Sequence, residues 1–412
     1  MKQIIFIISC LICLIGGKVG ADDFSVSANQ AIAIDADSGK ILYEKEADQQ
    51  VSIASITTLL STYLVYEAID KGDLKMTDAV TISDYPYNLS VTAQVSNVPL
   101  DARNYTVQQL LEASLIASAN SATIALAEKV AGSEEAFVNR MRDKLKEWGI
   151  NDAFIINSTG LNNSILGEQI YPGSKEDDEN TMSARQVAIL ARRLVKDFPQ
   201  VLDITQKPYS DFAGTQLQTF NYMLKGQPRV RSGVTGLKTG TSEKGGASFV
   251  ATATENGMNI ISVVLGAEGA DEDIYARFIV TTRLLDYISQ NFTPTTLIAK
   301  GESYRNSRAL VTNGKSQYVD AIAKEDLIII QRFGADTNVP VTIKTDNKGY
   351  EAPFKKGIPV GTASYEDNDL IGQGYLQDEN KTITLISKNK VERSNFLKVM
   401  WNEFVRYVNE KL

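Results

Sequence analysis

The chain has 412 residues, a formal net charge of −8 and no histidine. The missing imidazole excludes a Ser-His-Asp triad, a Cys-His pair and any histidine-ligated metal, so proton transfer falls to lysine, carboxylate, tyrosine or a hydroxyl network. An acidic balance without a basic stripe argues against a nucleic-acid partner; Cys10 and Cys13, both in the first apolar segment, leave the rest of the chain free of disulfides and thiolate metal sites.

Residues 1–21 read as an export signal. Lys2 supplies the positive start, 4–15 an apolar run, and Val19-Gly20-Ala21 a small-residue cleavage site, with cleavage expected after Ala21. The run is short of the ~20 residues that span a bilayer, which weakens the alternative of an uncleaved anchor. A lipoprotein attached through Cys10 is weaker still, with nine residues before it. No later stretch is apolar enough to cross a membrane. The rest is too long for one small core and predicts at least two domains.

From 22 to 291 strands and helices mix. Segments 31–35 and 40–44 are strand-like and joined by the hairpin signal Asp37-Ser38-Gly39. A helix is expected over 106–117, with Thr106 and Gln109 in capping-box register, and Ser183 with Gln186 repeats that register before another. A third, 133–148, stops at Gly149. Segments 247–254 and 259–265 form a hairpin around 255–258, and 277–291 is a closing helix.

Beyond Phe292 the pattern turns to short β-rich runs, among them 327–330, 339–342 and 382–386, which suggest a small β-sandwich over 292–390. In 392–412, Leu397, Met400, Trp401, Phe404, Val405, Val408 and Leu412 fall on one side of a helix, with Lys398, Glu403, Arg406, Glu410 and Lys411 around the other. Such a helix packs its apolar face on the β domain or lies in a membrane interface. Its terminal position, aromatic content and exported context favour the membrane.

Three short elements carry chemistry. Ser55 precedes the apolar helical run Ile56, Leu59, Leu60, Tyr63 and Leu64, at a helix N-terminus that favours developing negative charge; a serine there, taken alone, is most often just an N-cap. Ser118-Ala119-Asn120 falls in a tight turn between helices. Lys238-Thr239-Gly240-Thr241 lies on a strand, with Gly240 admitting a ligand backbone. Together, in this order and spacing, they match a serine acyl-transfer site that works without histidine, except that Thr58 stands where the pattern has a lysine.

On these motifs the chain resembles the low-molecular-mass penicillin-binding proteins, specifically the D-alanyl-D-alanine carboxypeptidases of Gram-positive cocci. The resemblance extends through Gly39-Lys40-Ile41-Leu42-Tyr43-Glu44, Tyr63-Leu64-Val65-Tyr66-Glu67-Ala68, Ile82-Ser83-Asp84-Tyr85-Pro86-Tyr87 and the segment 404–412. It implies an α+β fold: a transpeptidase-like serine carboxypeptidase α/β domain (22–291), a β-sandwich (292–390) and an amphipathic anchoring helix (391–412) at the outer face of the cytoplasmic membrane. The implied partners are the D-Ala-D-Ala end of a peptidoglycan stem peptide and β-lactams as covalent inhibitors; no cofactor or metal is implied. Ser55 would be the nucleophile, and the backbone amides of Ser55 and Thr241 the oxyanion hole. Ser118 and Asn120 would relay a proton and position the peptide. Lys238, Thr239, Thr241 and, through Tyr275-Ala276-Arg277-Phe278, Arg277 would hold its carboxylate.

Thr58 departs from that scheme. At i+3 it lies on the face of Ser55, where the family has a lysine as proton acceptor, and a threonine hydroxyl is too weak a base at neutral pH. The expected loss in acylation is on the order of 10² to 10⁴. Two functional expectations follow: a serine D-Ala-D-Ala carboxypeptidase, and an impaired relative that binds peptidoglycan or partners without efficient turnover.

Overall fold

The computed structural model describes residues 24–92, 94–335, 338–377 and 382–411. The expected export signal with its cleavage site, and Leu412, lie outside the described residues.

β1 (Ala28–Asp35) and β2 (Ile41–Lys45) pair antiparallel across the expected turn, where the Ser38 N–H and Oγ both donate to Asp35 Oδ2. A two-residue β3 (Val51–Ser52) leads through the 3₁₀ turn Ala54–Thr57 into α1 (Thr58–Asp70). Every residue from Thr58 to Tyr66 is buried, so α1 is an interior helix of the domain.

Next come β4 (Ala79–Thr81), α2 (Asp84–Thr92), β5 (Asn104–Thr106), α3 (Val107–Ile116), α4 (Asn120–Ala131) and α5 (Glu134–Glu147). β6 (Thr181–Met182), α6 (Ala184–Asp197), α7 (Val201–Thr205) and the hairpin β7 (Tyr209–Phe212) and β8 (Thr215–Gln218) follow. The chain closes this half with β9 (Val234–Ser242), β10 (Gly246–Glu255), β11 (Met258–Ala267) and α8 (Ala276–Asn291). Both capping boxes form as the sequence predicts, Thr106 with Gln109 and Ser183 with Gln186, and Gly149 follows α5 at φ +80°.

Five strands make one antiparallel sheet in the order β2-β1-β11-β10-β9. Alternation along each strand divides its side chains between two cores. Ile32, Ile34, Val250 and Ile261 face the layer of α1 and α3 to α6; Ala31, Ala33, Phe249 and Ala251 face α8. β9 is an edge strand, opposite β2, and the 3₁₀ turn packs against it.

The C-terminal half is β-rich. β12 (Phe292–Ile298) pairs with β15 (Leu327–Arg332). β13 (Arg308–Thr312), β14 (Tyr318–Ala323), β16 (Val341–Lys344), β17 (Tyr350–Glu351), β18 (Pro359–Tyr365) and β19 (Thr382–Ser387) form a second sheet in the order β16-β18-β19-β14-β13-β17. One apolar cluster joins the two sheets through Ile298, Leu327, Val311, Val360 and Leu385.

A strap from this half reaches the first domain. The buried Lys40 Nζ contacts Asp367 Oδ2 at 2.8 Å and donates to the Ile330 carbonyl at 2.6 Å, while Tyr375 donates to Asp367. Leu376 is packed in the core around α1. The terminal helix α9 spans Phe396–Lys411, four residues shorter at its start than the expected 392–412. Val391 and Arg393 instead bridge to Phe354 and Gly314 in extended backbone, and Ser394 N–H donates to the Asn313 carbonyl. On α9, Phe396, Leu397, Met400, Trp401 and Phe404 are exposed.

Candidate active site

Ser55 sits inside the 3₁₀ turn, one turn ahead of α1, rather than at the helix N-cap that the sequence suggests. Thr58, at φ −56° and ψ −25°, continues that geometry into α1. Residues three apart eclipse in a 3₁₀ turn, so Thr58 follows Ser55 on one face. Thr58 is 3% exposed, and among the described residues no hydrogen bond joins its hydroxyl to Ser55, Ser118 or Asn120.

β9 brings the other elements to this turn. Gly240 presses on it so closely that a Cβ there would lie 2.6 Å from the Ile53 carbonyl oxygen. Two residues earlier on the same face, Lys238 donates from Nζ to Ser118 Oγ at 2.7 Å and to the Thr239 carbonyl at 3.2 Å. Ser118 reaches that position because its backbone is left-handed, at φ +54°, between α3 and α4. Asn120 opens α4 and is held from behind: its N–H and Nδ2 both donate to the Ser96 carbonyl, at 3.0 and 2.9 Å.

Thr239 and Thr241 point to the opposite face of β9, toward α8. There Arg277 donates to the Gly240 and Ser248 carbonyls at 2.8 and 3.1 Å and to Thr241 Oγ1 at 2.8 Å. Burial, reinforced by the Arg277 charge, pushes the Lys238 amine down to about 7. Burial likewise lowers Arg277 to about 10. Neither cation is balanced by a carboxylate among the described residues. The pair makes an electropositive end to the cleft, suited to a ligand carboxylate. Among the described residues, no group of three or more His, Cys, Asp or Glu could hold a metal.

Several supporting residues escaped the sequence reading. Asn180 Nδ2 donates to Thr57 Oγ1 at 3.1 Å and to the Asn157 carbonyl at 2.9 Å, and its Oδ1 accepts from the Ile156 N–H at 2.7 Å. Gly160, at φ +84°, lies under the 3₁₀ turn, where a Cβ would come 1.8 Å from the Ala54 carbonyl oxygen. Asn157-Ser158-Thr159-Gly160 looks like an ordinary turn in sequence; only the fold puts it beneath Ser55.

A family model described as "D-alanyl-D-alanine carboxypeptidase" matches residues 18–269, and one described as "Penicillin-binding protein 5, C-terminal domain" matches 292–393. The chain is similar to the D-alanyl-D-alanine carboxypeptidase DacF of Bacillus subtilis, 30% identical over 81% of this chain and 80% of that one. Among solved structures, it is similar to a peptidoglycan synthesis regulatory factor (PBP3) from Streptococcus pneumoniae, at 52% identity, TM-score 0.86, and coverage of 90% of this chain and 100% of that one. It is also similar to penicillin binding protein 5 from Haemophilus influenzae, at 25% identity, TM-score 0.68, and coverage of 91% and 100%. With its penicillin-binding-protein fold, an α/β domain followed by a β-rich one, the chain belongs to the D-alanyl-D-alanine carboxypeptidase family of serine peptidases.

Proposed function

We propose that Ser55 is the nucleophile that removes the terminal D-Ala from peptidoglycan stem peptides, and that Thr58 makes the acylation step slow. The observation that carries this reading is the junction at β9, where Gly240 abuts the Ser55 turn and Lys238 bonds to Ser118. The stem peptide lies along the free edge of β9, its terminal carboxylate toward Lys238, Thr239, Thr241 and Arg277. Ser55 Oγ forms a bond to the penultimate D-Ala carbonyl carbon, with the oxyanion held by the amides of Ser55 and Thr241. The C–N bond breaks, Ser118 and Asn120 guide a proton to the departing amine, and water then cleaves the ester to regenerate Ser55. β-Lactams enter the same route and stop at the ester.

No lysine at position 58 stands ready to take the Ser55 proton. Lys238 bonds directly to Ser118, but a substrate carboxylate beside it keeps its amine charged, so it relays a proton through Ser118 and does not replace that base. Thr58 also favours a second reading, in which the cleft binds stem ends without efficient turnover. Labelling with a fluorescent penicillin separates the two. The native chain is expected to label slowly, Ser55→Ala not at all, and Thr58→Lys faster by about 10² to 10⁴, the contribution of a positioned base. Fast labelling of the native chain would show that Thr58 does not limit acylation; none from either native or Thr58→Lys protein would remove Ser55 as nucleophile.

We also propose that the protein is exported through its first 21 residues and works at the outer face of the cytoplasmic membrane, held by α9. Trp401 at 65% and Phe404 at 58% exposure, beside Leu397 and Met400, support an interfacial helix over one packed on the β-rich domain. Among the described residues no helix is long and apolar enough to cross a membrane.

A further inference from the structure

Glu134 opens α5 and is buried, with its carboxylate fully engaged. Oε1 accepts from the Ser158 N–H at 2.9 Å and from Ser158 Oγ at 2.5 Å, and Oε2 accepts from the Tyr85 hydroxyl at 2.9 Å. Each partner belongs to a segment that supports a different part of the cleft.

On one side, Ser158 lies in the 157–160 loop. Its carbonyl accepts from Ser61 Oγ of α1 at 2.5 Å, and the loop ends at Gly160, in contact with the Ser55 turn. On the other side, Tyr85 belongs to α2. The segment after α2 carries Ser96, whose carbonyl holds Asn120, and Asn97, whose Oδ1 accepts from the Ser121 N–H at 2.9 Å while its Nδ2 donates back to the Leu89 carbonyl of α2 at 3.1 Å. One carboxylate thus stands between the support of the nucleophile turn and the support of Asn120.

We infer that Glu134 is a positioning residue of the cleft, fixing the distance between Ser55 and Asn120 by tying the 157–160 loop to α2. It touches no reacting atom. The inference rests on the assignment of Ser55 and Asn120 to the site. A buried carboxylate with three donors is rigid, because releasing any one of them leaves a desolvated polar atom unpaired. Displacing a reacting group by about 1 Å costs on the order of 10²-fold in rate. A glutamine at 134 keeps an oxygen for both Ser158 donors and offers an amide to the Tyr85 oxygen; alanine removes every tie.

The test uses full-length protein and two readouts. In the Thr58→Lys chain, Glu134→Ala is expected to lower the second-order rate of penicillin acylation about 10²-fold, while Glu134→Gln stays within about threefold. In the chain with Thr58, Glu134→Ala is expected to weaken binding of an N-acyl peptide ending in D-Ala-D-Ala about fivefold, with Glu134→Gln again near native. Unchanged acylation and affinity in a folded Glu134→Ala protein would overturn the inference, as would a Glu134→Gln variant as damaged as Glu134→Ala. If Glu134→Ala fails to fold, Tyr85→Phe decides: it cuts only the α2 tie, and native rate and affinity there refute the role. A Thr58→Lys chain that does not acylate counts against Ser55 as nucleophile, and leaves Glu134 to be judged on peptide affinity.

Discussion

Lys238 Nζ stands 2.7 Å from Ser118 Oγ, joining the edge strand β9 to the turn between α3 and α4. Burial and Arg277 bring this amine to about 7, against ~10.4 for an unperturbed lysine. Between those values the unfolded chain carries the proton and the folded one does not, so this group makes stability rise with pH across that window. Below it both states are protonated and the contribution is flat. Lys238→Met is expected to remove the rise, read from urea midpoints at about pH 6 and about pH 9.

The same amine links ligand binding to protons. A carboxylate placed beside Lys238 restores its charge, so a peptide ending in D-Ala-D-Ala is expected to take up close to one proton at about pH 8. Its affinity should fall by nearly tenfold per pH unit above about 7. Calorimetry in two buffers of different ionisation enthalpy measures the uptake. An affinity independent of pH would place the carboxylate elsewhere.

Gly160→Ala is expected to destabilise the protein by roughly 2–4 kcal/mol and to impair penicillin acylation, because the new methyl would collide with the Ala54 carbonyl at a left-handed backbone position. Gly149→Ala is the control. It has a comparable φ of +80° but nothing within 4 Å, and should cost only about 1 kcal/mol, with acylation unchanged. Equal effects of the two substitutions would mean that the loop does not support the Ser55 turn.

The Lys40–Asp367 pair is 1% and 5% exposed. Asp367→Ala strands a buried ammonium and is expected to cost about 3–5 kcal/mol, whereas the double change Lys40→Met with Asp367→Leu should restore most of the loss. Denaturant unfolding of the three variants makes the comparison. A single variant as stable as the native chain would show that the pair does not secure the strap.

For α9, Trp401→Ser with Phe404→Ser removes two exposed aromatics worth about 1.5–3 kcal/mol each when buried. Binding to anionic lipid vesicles is expected to fall by about 10²-fold or more, and removal of everything after Lys390 to abolish it. Co-sedimentation measures both; undiminished vesicle binding by the truncated protein would refute anchoring.

Local signals were legible in the sequence. Thr106 with Gln109 and Ser183 with Gln186 cap helices as their spacing dictates, and Asn256-Gly257 turns the β10–β11 hairpin. Of the candidate site, the motif residues are joined in part: Lys238 bonds to Ser118, and Gly240 lies against the turn that holds Ser55. What the sequence concealed is joined over long separations. Glu134 to Tyr85, Asn180 to Thr57 and Lys40 to Asp367 are pairs of ordinary polar residues whose meaning arises only when distant segments fold together. The 3₁₀ form of the Ser55 turn escaped for a related reason. Propensity favours a simple N-cap, and the turn is shaped by β9 and Gly160 pressing on it from outside.

Leu376, contributed by the C-terminal half, fills a place among the side chains around α1. A catalytic fragment ending at residue 291 would therefore carry an open apolar socket and an orphaned Lys40. Excising the peptidase half cleanly requires redesigning that socket, and limited proteolysis near the junction should yield aggregating fragments rather than a soluble, autonomous module.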